Sequence, residues 1–337
     1  MEDTVNIVLP SRLDPVTLSA FCCEMHKTPE AREYVVDFGR RRILPPFSML
    51  LLAAHLRRFR NSRPTGQCRA INYENHSYPA HMGLFKAFGL DHGNAPGEAP
   101  GSSSYVPITH LDTNAIITEA VGRGVNPGVI VDYQANKLAK TLTQSQSGDL
   151  VDTLTFSIRE IIRNVVEHSE APFAAVCAQY WPTLHKVEVA IVDDGRGIRE
   201  ALSDNDRHEY ETDRDAVHIA MMPGISGNIA AGRSRDDEWQ NSGYGLYMTN
   251  RICRQGGTFS LYSGLAGLQI AQNAKLDVPC DLHGTAVQMV FDTRMASSIQ
   301  GKLRQFSHEG EQLTKGLSGS VKLTASTASQ MLTRDFK

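Results

Sequence analysis

The sequence has no long apolar run. The longest, from Phe47 to His55, falls far short of the ~20 residues that a membrane helix needs, so no membrane association is expected. The N-terminal stretch MEDTVNIVLP lacks a basic region followed by an apolar one, and no signal peptide is expected. Cysteine is sparse: Cys22, Cys23, Cys68, Cys177, Cys253 and Cys280 include no C-x-x-C pair and no Cys/His set with zinc spacing. This excludes a disulfide scaffold or zinc module and points to a reduced, cytoplasmic protein. An excess of one charge is also missing. The 34 Lys and Arg stand against 37 Asp and Glu, a net charge of −3, which gives no global pull toward nucleic acid. Arginines cluster at Arg40, Arg41 and Arg42, and again at Arg57, Arg58, Arg60 and Arg63. A solvated helix face with a turn accounts for them better than a nucleic-acid patch. There is no internal repeat, no P-loop and no Rossmann glycine fingerprint.

What is present suggests two domains, since the chain has 337 residues, 41% of them hydrophobic. Residues 1–92 alternate strand-like and helix-like patterns: strands at Asn6–Leu9, Tyr34–Phe38 and Cys68–Asn72, and helices at Pro15–His26, Phe47–Phe59 and Ala80–Phe88. Such alternation favours a layered α/β unit. Residues 93–106 are rich in Gly, Pro and Ser, as linkers are. A longer α/β stretch occupies 107–295. Residues 296–337 are polar and read as a peripheral helix followed by a frayed tail. The SGSVKLTASTAS stretch in that tail is a candidate phosphorylation target, although Ser/Thr-rich ends are usually only disordered.

Four short motifs in 107–295 carry chemistry, each weak alone. In TLTFSIREIIRNVVEHSEAP, Leu154, Ile158, Ile161, Ile162 and Val165 recur at helical spacing. Glu160, Asn164 and His168 stack four apart on another face. The Asn164 amide oxygen suits Mg²⁺, Glu160 can deprotonate or orient a hydroxyl, and His168 can contact phosphate. A solvated polar face would read the same way. Next, Val187–Val192 runs as a strand into Asp193, Gly195 and Gly197, a D-x-G-x-G at a strand end. A carboxylate there can accept from an exocyclic amine such as that of adenine, and the glycines permit close approach. An ordinary Asp-Gly turn would look alike. In NSGYGLYMTN, Gly243, Tyr244, Gly245 and Leu246 lead into a helix whose N-terminus can hold phosphate. Finally, Gly284 and Thr285 open a β-branched strand.

Their order and context are what matter. Together they resemble the GHKL (Bergerat-fold) ATPases, the group that includes gyrase, histidine kinases and mismatch-repair ATPases. The resemblance implies an α/β sandwich, with a mixed sheet covered by helices on one face, and ATP with Mg²⁺ as ligands. It implies that Asn164 binds Mg²⁺, Glu160 is the general base, Asp193 reads adenine beside Gly195 and Gly197, and Gly243 and Gly245 form the phosphate loop. Thr285 would lie near adenine. Residues from about Arg199 to Asn241 would be the ATP lid. NVVEHSEAP and the AVHIAMMPGISG–NSGYGL stretch look most like the anti-sigma-factor serine kinases. No upstream histidine has the phosphoacceptor setting of a true histidine kinase.

The N-terminal region resembles, more faintly, a STAS domain, the fold of anti-sigma-factor antagonists: VVDF followed by ILPPFSMLLLAAHLRRF looks like that family's central strand, loop and helix. The family's phosphorylated serine position falls on Pro45-Pro46-Phe47-Ser48, and Ser48 reads as a plain helix-start residue. The resemblance implies a regulatory protein partner and leaves room for a homodimer. Function is open between a serine/threonine kinase or ATPase and an ATP-gated switch that phosphorylates no protein.

Overall fold

The computed structural model describes residues 2–40, 43–102, 104–204, 210–226, 243–296 and 299–317. The N-terminal unit runs β1 (Glu2–Val8), α1 (Pro15–His26), β2 (Ala31–Asp37), α2 (Pro46–Asn61), β3 (Gln67–Ile71), α3 (Ser77–His81) and α4 (Leu84–Ala87). Its three strands pair in parallel in the order β1-β2-β3. Right-handed crossovers in that order place α1 and α2 on one face of the sheet. Pro15 opens α1, and Asp14 caps it by accepting the Thr17 amide at 3.1 Å. The single helix expected over Ala80–Phe88 is broken at Gly83, whose φ of +91° belongs to a left-handed turn.

The second unit opens with β4 (Tyr105–Asp112), α5 (Thr113–Arg123), α6 (Pro127–Thr143), α7 (Asp149–Asn164) and a π-helical turn over Val165–Ser169. It continues with β5 (Phe173–Trp181), β6 (Lys186–Asp193), α8 (Ile198–Ser203), α9 (Asp213–Ala220), α10 (Gly245–Cys253), β7 (Thr258–Ala271), β8 (Lys275–Asp292) and α11 (Ile299–Leu317). The strand order is β4-β5-β6-β8-β7, and every pairing is antiparallel. The mixed sheet expected from the sequence is therefore corrected. Short turns join β5 to β6 and β7 to β8, and such turns can only connect antiparallel neighbours.

Helices cover both faces of this sheet, not one. On one side, Val187, Val189 and Ile191 of β6 pack into a core with α6, α7, α10 and α11. On the other side, Ala190 and Val192 of β6, with Cys177 of β5 and Tyr262 of β7, pack against α1 and α2. The N-terminal unit thus supplies the second helical layer. The composition of α2 explains why. Its residues Pro46 to Ala53 are all buried, and a helix apolar all round must be enclosed on both sides. Phe47 meets Tyr262 edge-on at 5.3 Å. Polar ties hold the same interface: the Ser19 hydroxyl donates to the Pro279 carbonyl at 2.6 Å, and Arg58 pairs with Asp281 at 2.9 Å.

The Gly/Pro/Ser-rich segment folds back along this junction. The Gly97 amide donates to the Ile108 carbonyl at 2.8 Å, and the Ile108 amide to Met82 at 2.9 Å. Tyr105 and Val106 already belong to β4. At the other end, α11 lays Leu303 and Phe306 into the core. The SGSVKLTASTAS stretch lies outside the described residues, as do 205–209 and 227–241 of the expected lid. Among the described residues, no helix is long and apolar enough to cross a membrane.

Candidate functional site

A cavity open to solvent at its mouth lies between α7, the π-helical turn, the sheet and the start of α10. Its inner wall is apolar, formed by Ile161, Ile191, Leu261 and Val287. These side chains follow from sequence periodicity: α7 turns one face to the sheet, and alternate residues of β6, β7 and β8 face α7. Such a slot accepts a flat, largely apolar ring.

Asp193 closes one end. It is the last residue of β6 and pairs with Thr285 of β8. Its side chain is buried, and it accepts the Gly195 amide at 3.0 Å. Burial pushes its pKa up to about 7; the Gly195 and Thr285 amides oppose the rise, and the neighbouring Asp194 adds to it. Gly195 is needed behind it, because a Cβ there would collide with the Ser169 carbonyl. Gly284, at φ +89°, is pressed equally close to the Asp193 carbonyl. Gly197 lines the cavity, and a Cβ on it would crowd the Ser263 hydroxyl. That hydroxyl donates to the Gly284 carbonyl and accepts the Ile198 amide, both at 2.9 Å, and lies 3.5 Å from the Thr285 hydroxyl.

Further polar groups line the cavity. Asn164 is the last residue of α7 and lines the cavity. The chain then widens into the π-helical turn, so His168 does not continue a regular four-residue stack. π-Turns inside helices are frequent at functional sites. His168 still faces the cavity, and burial lowers its pKa, which favours the neutral imidazole. Gly243, at φ +72°, and Gly245 bring the first turn of α10 to the cavity, and that turn carries no acidic residue. A nine-residue helix whose first residue lines the cavity suits an anion there. Leu246 also lines the cavity.

Three residues singled out in the sequence stand elsewhere. Tyr244 is fully buried, edge-on to Tyr247. Gly195 supports the turn from behind. Glu160 is buried against Gly245 and accepts from Arg159 at 3.0 and 3.2 Å. Arg159, itself without exposed surface, also reaches Asp132 of α6 at 3.4 Å. Ser48 is not a helix cap: the cap position is Pro45, and the buried Ser48 hydroxyl donates to the Leu13 carbonyl at 2.5 Å.

The sequence reading missed Arg196, the residue between the two glycines of D-x-G-x-G. It lines the cavity, donates through Nε to the His168 carbonyl at 2.8 Å and pairs with Asp204 at 2.6 Å. Its position inside the motif was the available signal. It also missed Arg159, whose place beside Glu160 inside an apolar helical pattern marks a buried charge needing a partner.

No curated protein and no solved structure matches the chain significantly. Residues 150–295 match the family described as Histidine kinase-, DNA gyrase B-, and HSP90-like ATPase, and every residue that lines the cavity lies within that matched segment.

Proposed function

We propose that this protein is a regulator that binds Mg-ATP in the cavity and belongs with the anti-sigma-factor kinase type. The observation that carries the reading is the make-up of the cavity: a buried carboxylate, Asp193, lines one apolar slot together with Asn164 and with Gly245, the first residue of α10. Asp193 would accept from the adenine amine, and the apolar wall would sandwich the ring. The phosphates would meet Gly243, Gly245 and the start of α10, with His168 beside them. The fit to Mg²⁺ rests on one hard oxygen, that of Asn164, with phosphate oxygens completing the shell. Bound there, Mg-ATP supplies a transferable γ-phosphoryl group whose charge the metal neutralises.

In the kinase reading, Glu160 orients the hydroxyl of a serine or threonine on a protein partner. A second reading is an ATP-gated switch. It is favoured by one observation: Glu160 is ion-paired to Arg159 and stands outside the cavity lining. A carboxylate held by its neighbour is not aimed at a substrate hydroxyl, and slow turnover suits a protein that acts through its bound state. The test is incubation with γ-labelled ATP and Mg²⁺, beside Asn164→Ala, following free phosphate and protein-bound label. Label on protein favours the kinase, and binding with little release favours the switch. Absence of binding in the unmodified protein sinks both.

A further inference from the structure

Strand β6 is a wall between two compartments. Its residues Ile191 and Asp193 face the candidate nucleotide cavity, while Ala190 and Val192 face the N-terminal unit. At its end the wall is thin. Asp193 lines the candidate nucleotide cavity and also a second, much smaller cavity of about 30 Å³, bounded by Leu50, Ala53, Arg57, His110 and Phe173. One residue later, the Asp194 carboxylate receives Arg57 of α2 at 3.0 Å. Its other oxygen, Oδ1, is buried with no hydrogen-bond partner among the described residues. Arg57 is itself fixed, since its guanidinium lies 5.9 Å from the centre of the Phe173 ring, which His110 stacks on from β4 at 4.6 Å.

We propose that Arg57, contributed by the N-terminal unit, is a positioning residue for nucleotide: by holding Asp194 it sets the placement and charge environment of Asp193, and so the affinity of the site. The inference rests on the nucleotide reading above. It makes the N-terminal unit a built-in modulator of the ATPase domain. A partner that shifts α2 would alter nucleotide affinity without touching the cavity.

The electrostatic sign is definite. The charged and titratable groups around Asp193 are Arg57 from α2, His110 from β4, and Asp194 and Arg196 from its own turn. His168 comes from the π-helical turn, and His283 from β8, whose ring nitrogen lies 3.0 Å from the Asp194 carbonyl. Asp194 opposes ionisation of Asp193, and Arg57 screens Asp194. An adenine amine needs the ionised carboxylate, so binding strengthens as pH rises through the Asp193 midpoint.

The test is calorimetric titration of the full chain with Mg-ADP, which the site cannot turn over, from pH 5.5 to 8.5. Arg57→Gln should raise the midpoint by a half to one pH unit, weakening binding at pH 6 by roughly three- to tenfold. Arg57→Lys should restore it. Asp194→Asn should move the midpoint the opposite way and tighten binding at pH 6. A mere structural tie predicts the same direction of change for Arg57→Gln and Asp194→Asn, because each breaks one ion pair. Matching shifts, or an unmoved midpoint in Arg57→Gln with binding intact in the unmodified protein, overturns the proposal alone. Should Arg57→Gln fail to fold, Asp194→Asn decides by the direction of its shift. No Mg-ADP binding by the unmodified protein at any pH overturns the nucleotide reading, and this inference with it.

Discussion

The backbone amide of Phe47, in the first turn of α2, donates to the buried Glu188 carboxylate of β6 across 3.1 Å. This carboxylate, which also receives the Lys186 ammonium at 3.1 Å, answers the exposed amides and positive dipole end of a helix. Here the chain's own strand β6 places an anion at that helix start, and Ser48 is buried beside it. The N-terminal unit is thereby fastened to the antiparallel sheet as a structural layer.

Removing the anion should loosen that layer. Glu188→Ala leaves the buried Phe47 amide without its acceptor and releases the partly exposed Lys186 ammonium, a loss of about 1–3 kcal/mol. Glu188→Gln keeps an acceptor for the amide and should lose about half as much. Urea denaturation of both variants measures this. An alanine variant as stable as the parent would show that the helix start is satisfied some other way.

Asp193 links stability and binding with opposite signs. Its pKa in the folded protein, about 7, lies above the ordinary value of 3.8. A carboxyl raised by folding costs nothing below its unfolded value, where it is protonated in both states. The cost grows as pH rises from about 4 to 7 and is fully present above 7. Asp193→Asn removes the cost. The variant should match the parent near pH 4 and exceed it at pH 8, by on the order of 2–4 kcal/mol, while losing nucleotide binding. Thermal melts at the two pH values, with a nucleotide titration at pH 8, check both halves. Equal melting of parent and variant at pH 8 would contradict the burial argument.

Local signals carried far in the sequence, and interfaces did not. The helical periodicity around Ile158, Ile161 and Ile162 marked α7, and the D-x-G-x-G at a strand end marked the turn beside the cavity, because each depends on neighbouring residues. Helix α1 matched its expected limits for the same reason: Asp14 and Pro15 signal the start. Strand β4 was less legible, since Pro107 sits within it and a register irregularity separates Val106 from Thr109, both marks of an edge. The docking of the two units was not legible. Glu188 in a strand reads as solvent-facing, and its acceptor role for Phe47 depends on a contact 141 residues away. Arg57 likewise reads as one of a run of surface arginines.

The glycine beside Asp193 should tolerate no side chain. A Cβ on Gly195 would overlap the Ser169 carbonyl, which is backbone of the π-helical turn and has little room to move. The Ser169 hydroxyl is bonded to the Val165 carbonyl at 2.8 Å and its own carbonyl takes the Arg196 amide at 2.8 Å. Gly195→Ala is therefore expected to cost about 2–4 kcal/mol and to displace His168 along with the turn. The control is Gly122→Ala, in α5, where a Cβ meets nothing within 4 Å; that variant should be neutral or slightly stabilising. Comparable denaturation midpoints for the two variants would refute the close-packing argument.

The pair Arg159–Glu160 separates architecture from chemistry. Arg159 is enclosed among Phe156, Glu160 and Asp132. Arg159→Met strands two buried carboxylates without their cation and should cost about 3–5 kcal/mol. Glu160→Gln retains an oxygen for the guanidinium, packs against Gly245 with the same shape, and should cost under about 1.5 kcal/mol. Its value lies in what it does to turnover. If Glu160 acts as base in phosphoryl transfer, Glu160→Gln keeps Mg-ATP binding and loses phosphate transfer by roughly 10²–10⁴-fold. If the ion pair keeps Glu160 out of the chemistry, turnover is slow in the parent and unchanged in the variant. Measuring both binding and phosphate release distinguishes a carboxylate that works on the γ-phosphate from one that holds α7 to α6 beneath it.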